Sequence, residues 1–578
     1  MQAEKLKKVI DTAMGRRKAD IVLKGGSIVD VYSGKVISGD VAFCGDIIAG
    51  IGEYEGIKEI DVSGKYLSPG LIDSHIHIES SYLTPEEFAR ISVPCGTTTI
   101  VFDPHEIANV CGSKGIEYML NAAARTALKV KCMVPSCVPA TPFENAGAVL
   151  NAGDIEELFS QYKDAGMGEF MNAVGVINND DECINKLITA INDKRVIDGH
   201  SPGLMGNELN AYICAHIDND HECMTVEEME ERISRGMYVI MREGSACHDL
   251  QTLIEAVTPA NSRRCLLCSD DRQIRTIFEE GHINAHLRFC VRHGIDPVDA
   301  VRMASLNASE CFGMRDVGGI APGRSADIVV FNNLKEFKPE QVFIDGRLVA
   351  SDGKYLLPIE RYDISGVSSS VNVRDFNRNK LKLRLRDGNV RTIKVCPGGV
   401  ATKEGAARVA LTGDGDFCYN EAEDIVKVAV VERHRGTGNV AVGLLSDYGI
   451  KNGAAAISVA HDSHNIIAAG TSDEDIFAAV MEIIRMKGGM TLVRGGEPVC
   501  SIPLPVAGLM TDKDAESFDG ELQKIHALAY GEFKIHRDIE PFMTLCFMAL
   551  PVIPDIKLTD MGLFDVRRFE FTDININI

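Results

Sequence analysis

Residues 69–81 read Pro69-Gly70-Leu71-Ile72-Asp73-Ser74-His75-Ile76-His77-Ile78-Glu79-Ser80-Ser81. His75 and His77 stand two apart on a predicted strand, so both project from one face. A single metal ion can be gripped by both from the strand's end. The pair alone decides little, because two partly exposed histidines read the same way. The pattern of the next 240 or so residues decides the fold.

From about residue 68, strands alternate with helices, the texture of a parallel sheet. Eight strand candidates lie near 68–77, 97–103, 129–135, 168–175, 196–201, 218–222, 237–243 and 264–270, the sixth being the shortest signal. Helical stretches such as TPEEFARISV, GIEYMLNAAARTA and TVEEMEERISRG fall between them. Thr84 with Pro85 and Glu87, and Thr225 with Glu228, have the spacing of capping boxes at helix starts. Eight such units predict a TIM-type (β/α)8 barrel over 68–315.

Working outward, residues 20–67 alternate β-rich runs (IVLKGG, SIVDVYSG, DVAFCGD, IIAGIG) with turns. The same texture returns in GGIAPGRSADIVVFNN and QVFIDGRLVASDG. The expectation is an α/β chain in which segments 1–67 and 316–365 together build a small β-sandwich around the barrel. Segment 1–67 begins with a short amphipathic helix, and 366–578 form a C-terminal α/β domain with a helix near 473–487.

In a (β/α)8 barrel, catalytic groups gather at the C-terminal ends of the strands. The predicted ends carry His75 and His77, Asp103 and His105, Glu169, His200, His221, Arg242 with Glu243, and Asp270. Imidazoles and carboxylates without thiolate make a metal-site composition. Glu79 continues the alternation of 75 and 77 and is expected to face the site. His105 and Glu106 are placed to contact substrate or another metal, or to form a loop pair bonded to backbone. Arg242 and Glu243 read as a site pair or as a structural ion pair. His461, Asp462 and His464 form a tight cluster of ligand types, suited to reach over the barrel mouth or hold an extra ion.

The net charge of −23 argues against nucleic-acid polymers and anionic membranes as partners. The 17 cysteines are irregularly spaced. The N-terminus lacks the apolar core of a secretory signal, and no apolar run approaches the ~20 residues of a membrane span. The expectation is a cytoplasmic protein with reduced thiols, a homo-oligomer with a dimer as default.

The ordered set HIHIESS, FDPHEIANV, GMGEFMNAVGVI, DGHSPGLMGNELNAY, DHE, REGSA and CSDDR, with IAPGRSADIVV and AHDSHN after it, resembles the microbial adenine deaminases of the amidohydrolase superfamily. The resemblance implies hydrolysis of adenine to hypoxanthine and ammonia in purine salvage, with two divalent ions as cofactors, Mn2+ or Fe2+ favoured and Zn2+ possible. It puts His75 and His77 on one metal and Glu169 between the two, where many relatives use a carboxylated lysine. His200 and His221 fall on the second metal and Asp270 on the first. It further implies a shared hydroxide attacking C6 of the purine, with Asp270 as proton shuttle and Asp271 as the adjacent alternative. One departure is Gln273, where the family more often has histidine. His77-Ile78-Glu79 fits the first half of the other deaminase signature, but no P-C-x-x-C is present. Another amidohydrolase acting on a different aminated base or cyclic amide, and a catalytically dead relative serving as a scaffold, are the competing readings.

Overall fold

The computed structural model describes residues 3–576. Eight short strands succeed one another around a ring: Leu71–Ile76, Thr97–Phe102, Lys129–Val134, Gly166–Phe170, Ile197–Gly199, Asn219–Asp220, Tyr238–Arg242 and Cys265–Cys268. The first five pair in sequence order in one sheet and the last three in another, all in parallel. Backbone bonds close the ring between the sheets. Asp218 N donates to Ile197 O at 3.2 Å, and Asp270 N donates to His75 O at 3.0 Å. Helices lie between most strands, which makes the (β/α)8 barrel.

Local chemistry explains where strands stop. The fourth ends at Phe170 rather than near 175 because Asn172 caps the helix Ala173–Ile177, accepting from Gly175 N at 2.8 Å. The sixth is only two residues long. There the Asp220 carboxylate accepts from Ser201 N and Glu222 N at 3.2 and 3.0 Å, so a side chain takes donors that a longer ladder would use. Thr225 and Glu228 form the expected capping box. Thr84 does not: its hydroxyl caps nothing. Glu87 instead accepts from Ala515 N at 3.1 Å and pairs with Arg90 and Arg361. A residue read as local punctuation therefore serves the contact with the C-terminal domain. Cys265 and Cys268, a Cys-x-x-Cys, share the eighth strand and enter different core clusters, as strand alternation demands.

The segments before and after the barrel join in one nine-stranded sheet. It folds over a core that includes Leu23, Val41, Leu67, Ile328 and Phe343. IVLKGG and SIVDVYSG are not two strands. Ala19–Asp30 is continuous, with an irregularity between Leu23 and Gly26. Ala3–Ala13 is helical.

Beyond residue 388 an eight-stranded sheet carries the helix Asp473–Met486 on one face. It shares a continuous apolar core with the barrel, in which Leu83 and Phe88 join Met510 and Phe518. Thr511 N donates to Tyr82 O at 2.8 Å across that junction. No helix among the described residues is long and apolar enough to cross a membrane.

Two buried cations hold parts of this frame. Arg232, fully buried, pairs with Asp220 and donates to Ser201 O, tying the ends of the fifth and sixth strands together. Removing one member of a buried pair strands the other charge. Arg232→Met should therefore lower stability by about 3–5 kcal/mol, read as a lower urea midpoint. Lys557 is also buried, donating to Val400 O at 3.0 Å and Phe547 O at 2.8 Å. Burial pulls its pKa down to about 7. Below that pH, folded and unfolded chains both bind the proton and the full burial cost is present. Between there and the ordinary lysine value of ~10.4, only the unfolded chain binds it, so stability rises with pH. Lys557→Met lacks this term. Its stability relative to the natural protein should fall as pH rises from 7 to 9 in parallel urea titrations, and a constant difference would refute the assignment.

Candidate metal centre

The barrel mouth collects the strand-end residues. His75 Nδ1 faces Asp198 Oδ2 at 2.8 Å, and His77 Nδ1 donates to the Asp103 carbonyl at 3.0 Å. A carbonyl only accepts and a carboxylate accepts, so each ring carries its proton on Nδ1. Both Nε2 atoms then point inward, 3.1 Å apart, where each can give its lone pair to a metal ion. Asp270 Oδ1 completes the group, 3.6 Å from His75 Nε2 and 3.3 Å from His77 Nε2. Asp270 adopts φ 53°, the left-handed region that Asp tolerates. Its other oxygen accepts from Arg242 at 2.8 Å.

Glu169 lies between this group and a second one. Its Oε1 is 3.3 Å from His77 Nε2 and 3.9 Å from His75 Nε2. Its Oε2 is 2.6 Å from His200 Nδ1 and 3.3 Å from His221 Nε2. Oε2 thus serves the pair His200 and His221, and Oε1 the pair His75 and His77, with His105 Nδ1 also 3.3 Å away. Four ring nitrogens and two carboxylates, converging without thiolate, fit two hard-to-borderline divalent cations. Gly168 makes this placement possible: a Cβ there would meet Asp103 Oδ2 at 2.2 Å, and that same oxygen accepts from Glu169 N at 2.9 Å.

Electrostatics agree. Burial and His105 would depress His77, yet Asp270 and Glu169 hold it well above its ordinary value. Burial would likewise raise the Glu169 carboxyl, but His200, His221 and His77 hold it far below the usual range. The centre is buried negative potential in search of positive charge.

The centre opens on a cavity of about 290 Å3. Its polar floor comes from the barrel, including Glu106, His105, Arg242 and Asp271. Apolar walls come from the C-terminal domain through Val400, Phe547, Leu550, Val552 and Ile553.

The family model described as the adenine deaminase C-terminal domain matches residues 399–570, and that of the amidohydrolase family matches 66–349. The chain is 53% identical to adenine deaminase 2 of Desulfotalea psychrophila, over 99% of this chain and 100% of that one. It is 49% identical to adenine deaminase of Ligilactobacillus salivarius, over 99% of each. The chain belongs to the adenine deaminase family of amidohydrolases. The amidohydrolase family is metal-dependent, in keeping with the ligand set above.

Several expected site residues sit differently in this family member. Glu79 does not face the cavity. The strand stops at Ile76, residues Ile78–Ser81 form a 3-10 turn, and Glu79 Oε1 accepts from Ile107 N at 3.3 Å. Glu243 does not line the cavity; it pairs with His248, which does, at 2.8 Å and with Gln251 at 3.0 Å. Arg242, the last residue of its strand, does not pair with Glu243 and pairs instead with Glu222, Asp249 and Asp270. Asp271 lines the cavity and accepts from Ser80 Oγ. Gln273 does not line it: it precedes the helix Ile274–Glu280, its N–H donating to Ser245 Oγ at 2.8 Å. The histidine-to-glutamine departure therefore lies outside the cavity wall. Asp462 lines the cavity 3.8 Å from His105 Nε2, and Glu106 rather than Asp462 completes a cluster with His461 and His464.

Sequence reasoning missed Glu222, whose Oε1 is 3.8 Å from His200 Nδ1 and 3.7 Å from His221 Nε2. It also missed Asp198, two residues before His200 and so inside the same barrel. That spacing was the available signal. Asp198→Ala removes the acceptor that fixes the His75 ring. We expect metal affinity about 10–100-fold weaker in chelator competition, with Asp198→Asn affected less because it still accepts.

Proposed function

We propose that this chain hydrolyses adenine to hypoxanthine and ammonia at the barrel mouth. The observation that carries the reading is Glu169, with one oxygen toward His75 and His77 and the other toward His200 and His221, on the floor of a cavity walled by the family's own C-terminal domain. In this reading His75, His77 and Asp270 hold one divalent cation, His200 and His221 a second, and Glu169 both. When bound, such ions acidify water so that hydroxide is available near neutral pH. The donor set is compatible with Mn2+, Fe2+ or Zn2+, and the family resemblance favours the first two.

The chain's own residues supply the rest. Arg242 grips Asp270 Oδ2 and leaves Oδ1 to the centre. Asp270 is thus poised to take the proton of the attacking water and deliver it to the ring nitrogen or the departing amine. Water adds at C6, the C–N bond breaks, and ammonia leaves, so one adenine and one water give one hypoxanthine and one ammonia. Asp271 presents a carboxylate to the cavity and is suited to hold a purine N–H group. The chain has no tryptophan, and Phe547 offers an aromatic face. We place the enzyme in the cytoplasm, where the free thiols of its cysteines persist, as a homo-oligomer with a dimer as default.

Mn2+-loaded protein should consume adenine and release ammonia in equal amounts. Adenosine, guanine, cytosine and dihydropyrimidines should be turned over far more slowly. Clear turnover of another ring with none of adenine would reject the substrate. Glu169→Gln should lose metal and activity together, and full activity with a normal metal load would rule out the bridging role.

A further inference from the structure

A second ligand cluster lies beyond the barrel centre and moves no proton in the deamination. Glu106 is the second residue of the helix His105–Cys111, just past the second barrel strand. His461 and His464 lie in the turn between the C-terminal strands Ala454–Ala460 and Asn465–Gly470. Their ligand atoms come within 4.8 Å of one another, and all three side chains are buried. His461 Nδ1 is 2.9 Å from Glu106 Oε1. His464 Nε2 pairs with Glu106 Oε2, and its Nδ1 has no partner. Two buried imidazoles facing the two oxygens of one buried carboxylate are a ready ligand set for a cation.

The surroundings fix these rotamers. Arg433, fully buried, donates from Nε to His464 O, and its guanidinium reaches Ser458 O at 3.2 Å and Ala507 O at 3.0 Å. His434 Nε2 donates to Ser463 O at 2.7 Å. Asn465 Nδ2 donates to Asn145 O at 2.8 Å, anchoring the turn to a barrel loop. A braced loop of this kind is what a metal site needs beyond its direct ligands. Glu106 and His461 also line the main cavity, which gives an ion a path in.

We propose that Glu106, His461 and His464 bind an additional divalent transition-metal ion, separate from any held at the barrel centre. Two imidazoles and a carboxylate suit Mn2+, Fe2+ or Zn2+. Held there, the ion clamps the C-terminal turn onto the second barrel loop and shapes one side of the cavity. The proposal does not depend on which ring the enzyme hydrolyses.

Crystals of the full chain, grown after loading with Mn2+ or with Zn2+ and desalting, test it by anomalous scattering at each metal's edge. We expect a peak bounded by Glu106, His461 and His464, distinct from peaks beside Glu169. His464→Gln should abolish that peak, keep the others, and lower metal content by about one equivalent per chain. The natural protein decides even if the variant misfolds. Absence of the peak with both metals, with His464 donating directly to Glu106, overturns the proposal. So does a metal content unchanged in folded His464→Gln.

Discussion

The His75 and His77 rings each spend their one N–H outward, on Asp198 and on the Asp103 carbonyl. Their remaining nitrogens therefore both point inward and stand 3.1 Å apart. Two neutral rings would repel there, so the arrangement favours positive charge, a proton or a metal ion. Everything around the pair serves to keep it. The barrel closes through Asp270 and His75, so the backbone that seals the ring also sets a carboxylate beside both nitrogens. Arg242 then fixes that carboxylate's other oxygen. Tying ligands to the closure of the fold is how a barrel holds geometry that loops alone would lose.

Glu169 adds the second constraint. Bearing one imidazole pair on each oxygen, it couples two positions that the chain builds from four strands. The cost of gathering so many buried ionisable groups is large. Gly168 shows how tightly the sequence must accommodate it, since any side chain there would evict Asp103. Arg232 and Asp220 show the same at the fifth and sixth strands, where a buried pair does the joining that a two-residue strand cannot.

Much of this was legible from residue order. The eight strands come from alternation, and the rule that barrel chemistry sits at strand ends gathers the candidate side chains, from which the family resemblance picks the six central ones. What sequence reasoning misplaced shares one cause: side chains recruited by distant parts of the chain. Glu87 looked like a cap and went to Ala515 and Arg361. Glu79 looked like the next ligand, but the strand had already ended. Arg242 looked paired with its neighbour and reaches across the barrel to Glu222. Local periodicity carries no information about such partners. Asp198, by contrast, obeyed the same alternation as His200 and was readable but unread.

The C-terminal domain makes sense as the missing wall of the cavity. A barrel mouth lined by imidazole and carboxylate would stay wet and would bind a flat, largely uncharged ring poorly. Val400, Phe547, Leu550, Val552 and Ile553 supply apolar surface that the barrel does not, and a drier site strengthens each electrostatic contact within it. Lys557 binds the carbonyls of Val400 and Phe547 together from behind. Two separate segments of that wall are thereby fixed relative to each other by one amine that does not line the cavity. The barrel ligands recur with many chemistries on one fold. A site that discriminates between rings thus needs both this wall and the barrel carboxylates that face it, so the C-terminal domain and the barrel share the binding of the ring.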